Sequence, residues 1–233
     1  MTKTPPITKT PPPPKSVDIY NTISQSIING TLKANEKLNE QSLANHFGTS
    51  RGPIREALRK LESKSLVSFV PNVGVRIQGI SLKKAEDLLS IRLVLECMAV
   101  ESACHHITDD EIQGLYDLLD SHAQRIYEKN DGAYITQNEN NDFHKAIIQA
   151  SHNAYLQEIL NKELYVRLQI CRHQHTWKQR RADEALHEHR QILDAINDRD
   201  SELASLFMKR HLQYSHDNIL ETIKQKNTQD TIT

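Results

Sequence analysis

The sequence is poor in the features of secreted, cysteine-metal and membrane-spanning proteins. Its three cysteines (Cys97, Cys104 and Cys171) lack metal-ligand spacing, and their odd number does not suit a disulfide framework. The longest apolar stretch, residues 88–100, is interrupted by two charged residues, and the N-terminus has lysines but no apolar segment. We therefore predict a cytoplasmic protein with reduced thiols and no membrane partner.

Proline and glycine are scarce beyond residue 79, and aromatic residues make up only 5% of the chain. Six of the 8 prolines lie in residues 5–14, which predicts a disordered, polyproline-like leader over residues 1–15. No proline follows Gly79, and Leu, Ile and Ala recur there every three to four residues. This pattern predicts helices throughout the second part of the chain.

Charge is divided unevenly along the chain, although the formal net charge is only -1. Residues 1–80 contain 11 basic and 5 acidic side chains, whereas residues 81–233 contain 18 basic and 25 acidic ones. A basic module joined to an acidic one indicates two tasks, and the basic module is the candidate for binding a polyanion.

Helix start and stop signals predict the elements of each half. The basic half is predicted to contain three helices and a two-stranded hairpin, over residues 17–28, 40–47, 51–64, 66–70 and 75–77. The acidic half is predicted to contain six helices, over residues 81–106, 109–129, 132–151, 154–175, 178–197 and 201–225. Thr108 and Glu111 form the pattern of a capping box at the start of the second of these six.

The second and third predicted helices have a helix-turn-helix layout, in which the latter helix enters the major groove of DNA. Its apolar residues share one stripe: Ile54, Ala57, Leu58 and Leu61. Three arginines form a separate stripe at i, i+4 and i+8, and guanidinium groups can fork onto guanine or phosphate. The predicted DNA contacts lie in the turn, on this stripe and at the tip of the hairpin wing: Thr49, Ser50, Arg51, Gly52, Arg55, Arg59 and Gly74.

The same residues resemble a known family. The stretch from Phe47 to Leu58, FGTSRGPIREAL, with Leu61-Glu62 and Leu66-Val67 after it, resembles the winged helix of GntR-family transcriptional regulators. The resemblance covers residues 16–78. It implies that Arg51 and Arg55 contact operator DNA and that the wing glycine lies near the minor groove. Where some members carry a DNA-contacting arginine in the second helix, this chain has Gln41.

Eleven of the 12 histidines lie in the acidic half, which raises the question of a metal site. Asn140 and His144 are spaced i, i+4, and His189 and His211 each lie beside apolar residues of their helices. Bundle helices that bury their apolar faces together can bring such groups to one interior point. His216 is about 140° from His211 around the helix, which makes it a poor partner at the same ion.

The second half resembles the FCD effector domain of the FadR subfamily, closer to its VanR-like branch. The resemblance rests on Asn140-Asn141-Asp142-Phe143-His144, on Glu188-His189 and on His211-Leu212. It implies a divalent metal (zinc, nickel or manganese) ligated by Asn140, His144, His189 and His211, with Asn in place of the commoner Asp. It also implies a carboxylate effector near the metal and a role for Arg92 in binding it. The alternative for Arg92 is an i, i+4 pair with Glu96.

The sequence thus predicts a mainly α protein. A winged helix-turn-helix domain over residues 16–78 is followed by an antiparallel bundle of about six helices over residues 81–225 and a flexible tail over residues 226–233. The predicted function is that of a homodimeric, operator-binding transcriptional regulator, a repressor, controlled by a small carboxylate metabolite. Two alternatives remain: a metal-dependent hydrolase tethered to DNA, and a structural DNA-binding protein without an effector.

Overall fold

A computed structural model describes the backbone of residues 15–129, 143–173 and 179–230. Residues 1–14 of the predicted leader and Asn140 lie outside these ranges, whereas Lys15, predicted as the end of the leader, is the first residue of a helix. The chain divides into two compact units, Met1–Gly79 and Ile80–Thr233, which are described separately. Among the described residues, no helix is both long and apolar enough to cross a membrane.

The first unit is a winged helix-turn-helix. It contains helices α1 (Lys15–Ile28), α2 (Glu40–His46) and α3 (Arg51–Ser63) and strands β1 (Lys37–Leu38), β2 (Val67–Val70) and β3 (Gly74–Ile77). The strands form an antiparallel sheet in the order β1-β3-β2. The sequence predicted the hairpin but missed β1, since a two-residue strand is too short to show an alternating pattern.

The apolar stripe of α3 anchors this unit as predicted. Ile54, Ala57, Leu58 and Leu61 are at most 1% exposed, and α1 adds Ile23 and Ile27 to the same core. Gly48 ends α2 with a φ of +57°, a backbone conformation that glycine adopts without the steric cost of a side chain. The burial of one side of α3 leaves the arginine side of the helix exposed.

The second unit is all-helical. Its elements are α4 (Leu82–His106), α5 (Asp109–Lys129), α6 (Phe143–Ala150), α7 (Ala154–Glu158), a π-helical turn (Ile159–Leu164), α8 (Tyr165–His173), α9 (Gln179–Asn197) and α10 (Ser201–Asp230). One apolar cluster joins residues of α4, α5, α6, α9 and α10, among them Val100, Leu119, Phe143, Ile192 and Met208. The predicted mainly α fold class is confirmed.

Three helix predictions need correction or completion. The helix predicted over 154–175 is interrupted by the π-helical turn, for which the sequence has no glycine or proline signal. The last helix runs to Asp230 rather than 225, so the tail predicted from 226 is helical as far as Asp230. Of the helix predicted over 132–151, residues 132–142 lie outside the described ranges.

The predicted capping box at α5 is present. The Thr108 backbone N–H and hydroxyl donate to Glu111 Oε2 at 2.9 and 3.0 Å, and the Glu111 N–H donates to Thr108 Oγ1 at 3.3 Å. The reciprocal bonds satisfy donors that a helix start leaves without intrahelical partners.

Candidate metal centre and nucleic-acid interface

Two arginines of the α3 stripe are held by the first residues of α2. Arg51 donates from Nε and Nη2 to Gln41 Oε1 at 2.8 and 2.6 Å. Arg55 donates from Nε to Glu40 Oε2 at 2.8 Å. Arg59 is exposed and makes no hydrogen bond or ion pair with the described part of the chain. The exposed face of α3 therefore has three arginines in one row. The side chains of Arg51 and Arg55 are restrained by hydrogen bonds from α3 to α2.

The other predicted DNA contacts surround this face. Ser50 is the N-cap residue of α3, and both it and Gly52 are exposed. Thr49 is half-buried, and its backbone N–H donates to the Ala44 carbonyl at 3.0 Å. Their contacts with DNA stay predictions.

The wing differs slightly from its prediction. Its turn spans residues 71–73, and Gly74 opens β3 opposite Val70 instead of forming the tip. Gly74 is exposed and has a φ of +104°, which a residue with a side chain would adopt only with strain.

The three histidines predicted as metal ligands meet inside the second unit. His144 on α6, His189 on α9 and His211 on α10 are only 2–4% exposed. The Nε2 atom of His211 lies 3.2 Å from the Nε2 atoms of both His144 and His189. One ring nitrogen of each histidine lies within 4.8 Å of those of the other two. The helical bundle therefore brings together three residues that are 67 positions apart from first to last.

Carboxylates contact two of these imidazole rings at Nδ1, the nitrogen that faces away from the cluster. Glu96 Oε2 lies 2.6 Å from His144 Nδ1, and Glu188 Oε2 lies 2.6 Å from His211 Nδ1. A carboxylate only accepts hydrogen bonds, so these contacts favour the tautomer with the proton on Nδ1, in which the Nε2 lone pair points towards the cluster. Metal-bound histidines commonly have such carboxylate partners.

Arg92 belongs to the same network. Its side chain is buried, and Nε donates to Glu96 Oε1 at 2.5 Å. The i, i+4 pair considered from the sequence is therefore present, and Glu96 joins Arg92 to His144. The role of Arg92 in binding an effector stays a prediction.

The donor set fits a divalent metal. Three buried imidazole nitrogens that lie within 4.8 Å of one another are ligands of the kind that zinc and similar ions take, so these residues would hold the metal. Neutral imidazoles suit zinc, nickel and manganese to different degrees. The predicted fourth ligand, Asn140, lies outside the described residues.

The sequence did not single out the supporting residues of the cluster. Phe143 stacks on the His189 ring with centroids 4.2 Å apart, and Glu96 and Glu188 orient its neighbours. His122, which spacing did not select, is 3% exposed on the side of α5 that carries Leu115 and Leu119. The sequence shows that Glu188 is next to His189, but in the structure the Glu188 carboxylate contacts His211.

His216 lies outside the three-histidine cluster, in agreement with its position on the helical wheel. Its Nε2 atom is buried and has no hydrogen-bond partner within the described ranges. His105, His106, His152 and His187 are exposed.

Comparison with known proteins agrees with this division. The FCD domain family matches residues 87–214, and the family described as bacterial regulatory proteins, gntR family, matches residues 15–77. The HTH-type transcriptional regulator YdhC of Bacillus subtilis is 29% identical over 214 residues, which cover 92% of this chain and 95% of YdhC. The HTH-type transcriptional repressor RspR of Escherichia coli is 24% identical over 220 residues, which cover 94% of each chain.

A solved structure has the same architecture. E. coli McbR/YncC superimposes with a TM-score of 0.74 and 25% identity, and the match covers 91% of this chain and 98% of that chain. The matched families and relatives are transcription regulators, which sets the hydrolase alternative aside. The chain belongs to the GntR family of DNA-binding transcription regulators and carries a C-terminal FCD domain.

Proposed function

We propose that the protein is a homodimeric repressor that binds operator DNA through α3 and the wing. A small carboxylate metabolite, bound beside a divalent metal in the FCD domain, controls its affinity for DNA. The observation that carries this proposal is the convergence of His144, His189 and His211 at a buried point, with carboxylates at the Nδ1 atoms of His144 and His211.

DNA recognition is assigned to the exposed side of α3. Arg51, Arg55 and Arg59 recur about once per helical turn on an exposed side of α3, separate from the buried stripe, as in a helix that enters the major groove. Arg51 and Arg55 have N–H groups beyond those used by Gln41 and Glu40. Thr49, Ser50, Gly52 and Gly74 are proposed to contact the sugar-phosphate backbone nearby.

The metal is assigned to the three histidines, together with Asn140. When bound there, it would supply a positive charge and an open coordination position for a carboxylate oxygen. Glu96 and Glu188 favour one tautomer of the His144 and His211 rings, and the burial of all three histidines limits their contact with solvent. Arg92 is proposed to act on the effector, either by contact or through Glu96.

Homodimer formation is supported by an apolar strip on α4. Ile91, Val94 and Met98 are 50%, 64% and 53% exposed and lie on one side of the helix. Such a strip on one chain is self-complementary about a two-fold axis. A two-fold dimer would also have two α3 helices, one for each half of a palindromic operator.

Repression is proposed because the relative RspR is named a repressor. For an effector to change DNA affinity, it must bind the DNA-competent and DNA-incompetent states with different affinities. The structural alternative without an effector predicts binding with little sequence preference and no response to metabolites.

DNase footprinting on the promoter regions beside the gene tests the proposed function. The wild-type chain is expected to protect a discrete palindromic site, and Arg55→Ala is expected to lose that protection. Arg125→Ala removes one arginine from α5 and serves as the matched control. A footprint that Arg55→Ala leaves unchanged would contradict the assignment of α3.

A further inference from the structure

The start of α2 contacts the DNA-reading side of α3 through one amide side chain. Gln41 occupies the second position of α2, and its single Oε1 atom accepts both Nε and Nη2 of Arg51. The contact joins two helices across ten residues of sequence. It fixes the plane of the guanidinium group, because two donors of one planar group converge on one oxygen.

The orientation of the Gln41 amide is determined by its partners. Arginine only donates, so the carbonyl oxygen of Gln41 must face Arg51 and its NH₂ group must point away. On that side, Gln41 Nε2 donates to Asn45 Oδ1 at 3.0 Å, one turn further along α2. Asn45, Gln41 and Arg51 therefore form a directional chain of hydrogen bonds with only one arrangement of donors and acceptors.

Arg51 keeps enough donors for DNA. A guanidinium has five N–H groups, and the contacts to Gln41 use one on Nε and one on Nη2. The remaining groups on Nη1 and Nη2 are what a fork onto guanine O6 and N7 needs. Gln41 thus restrains Arg51 through Nε and one N–H of Nη2, and it leaves the other N–H groups for a base.

In the described part of the chain, the other two arginines of the stripe are not restrained by a neutral side chain. Arg55 is paired with the carboxylate of Glu40, an acidic group that offsets the charge of the arginine. Arg59 has no such brace within the described residues. Gln41 restrains its arginine without changing the charge of the surface.

We propose that Gln41 is a positioning residue that sets base selectivity by holding Arg51, with Asn45 fixing the amide. Restraining the arginine before binding lowers the conformational entropy lost when it docks on a base. The benefit applies to a contact of defined geometry and not to the loose phosphate contacts of non-specific binding. This inference rests on the proposed DNA-binding function.

The test uses full-length protein and two duplexes. One duplex is enriched by the wild-type chain from a pool of random sequences, and the other is its scrambled version. Gln41→Met keeps the length and neutrality of the side chain but removes the acceptor. Gln113→Met is the matched control. Gln113 is an exposed glutamine of α5 that, like Gln41, donates a hydrogen bond to the side chain four residues later.

Gln41→Met is expected to weaken binding to the enriched duplex about 3- to 10-fold, with less than about a twofold change for the scrambled one. The salt dependence should not change, because Gln41 makes no phosphate contact, and Arg51→Met should lose the preference for the enriched duplex. In the Arg51→Met background, Gln41→Met should have no further effect. Gln41→Glu retains an acceptor oxygen and should keep the selectivity ratio, although added charge weakens binding to both duplexes.

Two results would overturn the inference. One is an equal loss of affinity for both duplexes, which indicates a general structural effect. The other is a Gln41→Met effect that persists without Arg51, because the residue would then act independently of the arginine. If the wild-type chain enriches no sequence, the proposed function itself fails, and this outcome is distinct from both.

Discussion

Glu96 Oε2 lies 2.6 Å from His144 Nδ1, and both side chains are almost entirely buried. The other oxygen of the same carboxylate accepts Arg92 Nε. One acidic residue of α4 therefore joins a buried cation to the three-histidine cluster. The negative charge of Glu96 is balanced by Arg92, and its contact with Nδ1 orients the ring towards the other histidines.

Glu96→Gln is expected to weaken metal binding about tenfold or more, because a neutral amide supports the imidazole less well than a carboxylate does. Zinc affinity is measured by competition with a chromogenic chelator. Glu101→Gln, a change at an exposed position of the same helix, is the control and should keep the wild-type affinity. Equal affinities for Glu96→Gln and wild type would show that the carboxylate does not support the site.

Asn140→Asp is expected to increase metal affinity. The amide oxygen of asparagine is a neutral ligand, whereas a carboxylate compensates part of the charge of a divalent ion. The same chelator competition measures the change, and Asn140→Ala should act in the opposite direction. If all three chains bind metal equally, residue 140 is not a ligand.

Features that follow from local sequence patterns could be predicted, whereas contacts between residues far apart in the sequence could not. The α3 core was visible because Ile54, Ala57, Leu58 and Leu61 follow a helical period. The histidines could be selected by their apolar neighbours, but their convergence depends on how α6, α9 and α10 pack. Glu96 was hidden because its partner lies 48 residues away. The start of β3 at Gly74 depends on pairing with Val70, which local sequence does not specify.

Glu111 is expected to make the stability of the helical domain sensitive to acid. Burial opposes its charge, but hydrogen bonds from Thr108 and His152 outweigh that effect and lower the pKa of the carboxyl. A carboxyl with a lowered folded-state pKa contributes stability above its unfolded pKa, and this stability is lost as the pH falls through the folded pKa. Stability should therefore decline below about pH 4.5.

Urea unfolding followed by circular dichroism measures this dependence. Glu111→Gln should flatten the decline between pH 5 and pH 3, while Asp110→Asn, which removes an exposed carboxyl from the same helical turn, should not. An unchanged pH profile in Glu111→Gln would refute the role of this group.

Val94→Glu is expected to weaken the proposed dimer. The substitution places a charge in the centre of the strip formed by Ile91, Val94 and Met98, where a two-fold axis would oppose it to its copy. Light scattering coupled to size-exclusion chromatography measures the mass over a dilution series. Lys83→Glu on the same helix is the control. A variant that stays dimeric at the same concentrations as wild type would place the interface elsewhere.

The metal content of tag-free protein, measured by elemental mass spectrometry, tests the central claim most directly. The account predicts near-stoichiometric divalent metal after reconstitution with zinc, nickel or manganese. It also predicts that the metal is lost in the combined variant His144→Ala and His189→Ala, since these residues contribute two of the three converging nitrogens. A wild-type chain that binds none of these ions, or a double variant that retains the metal, would contradict the account.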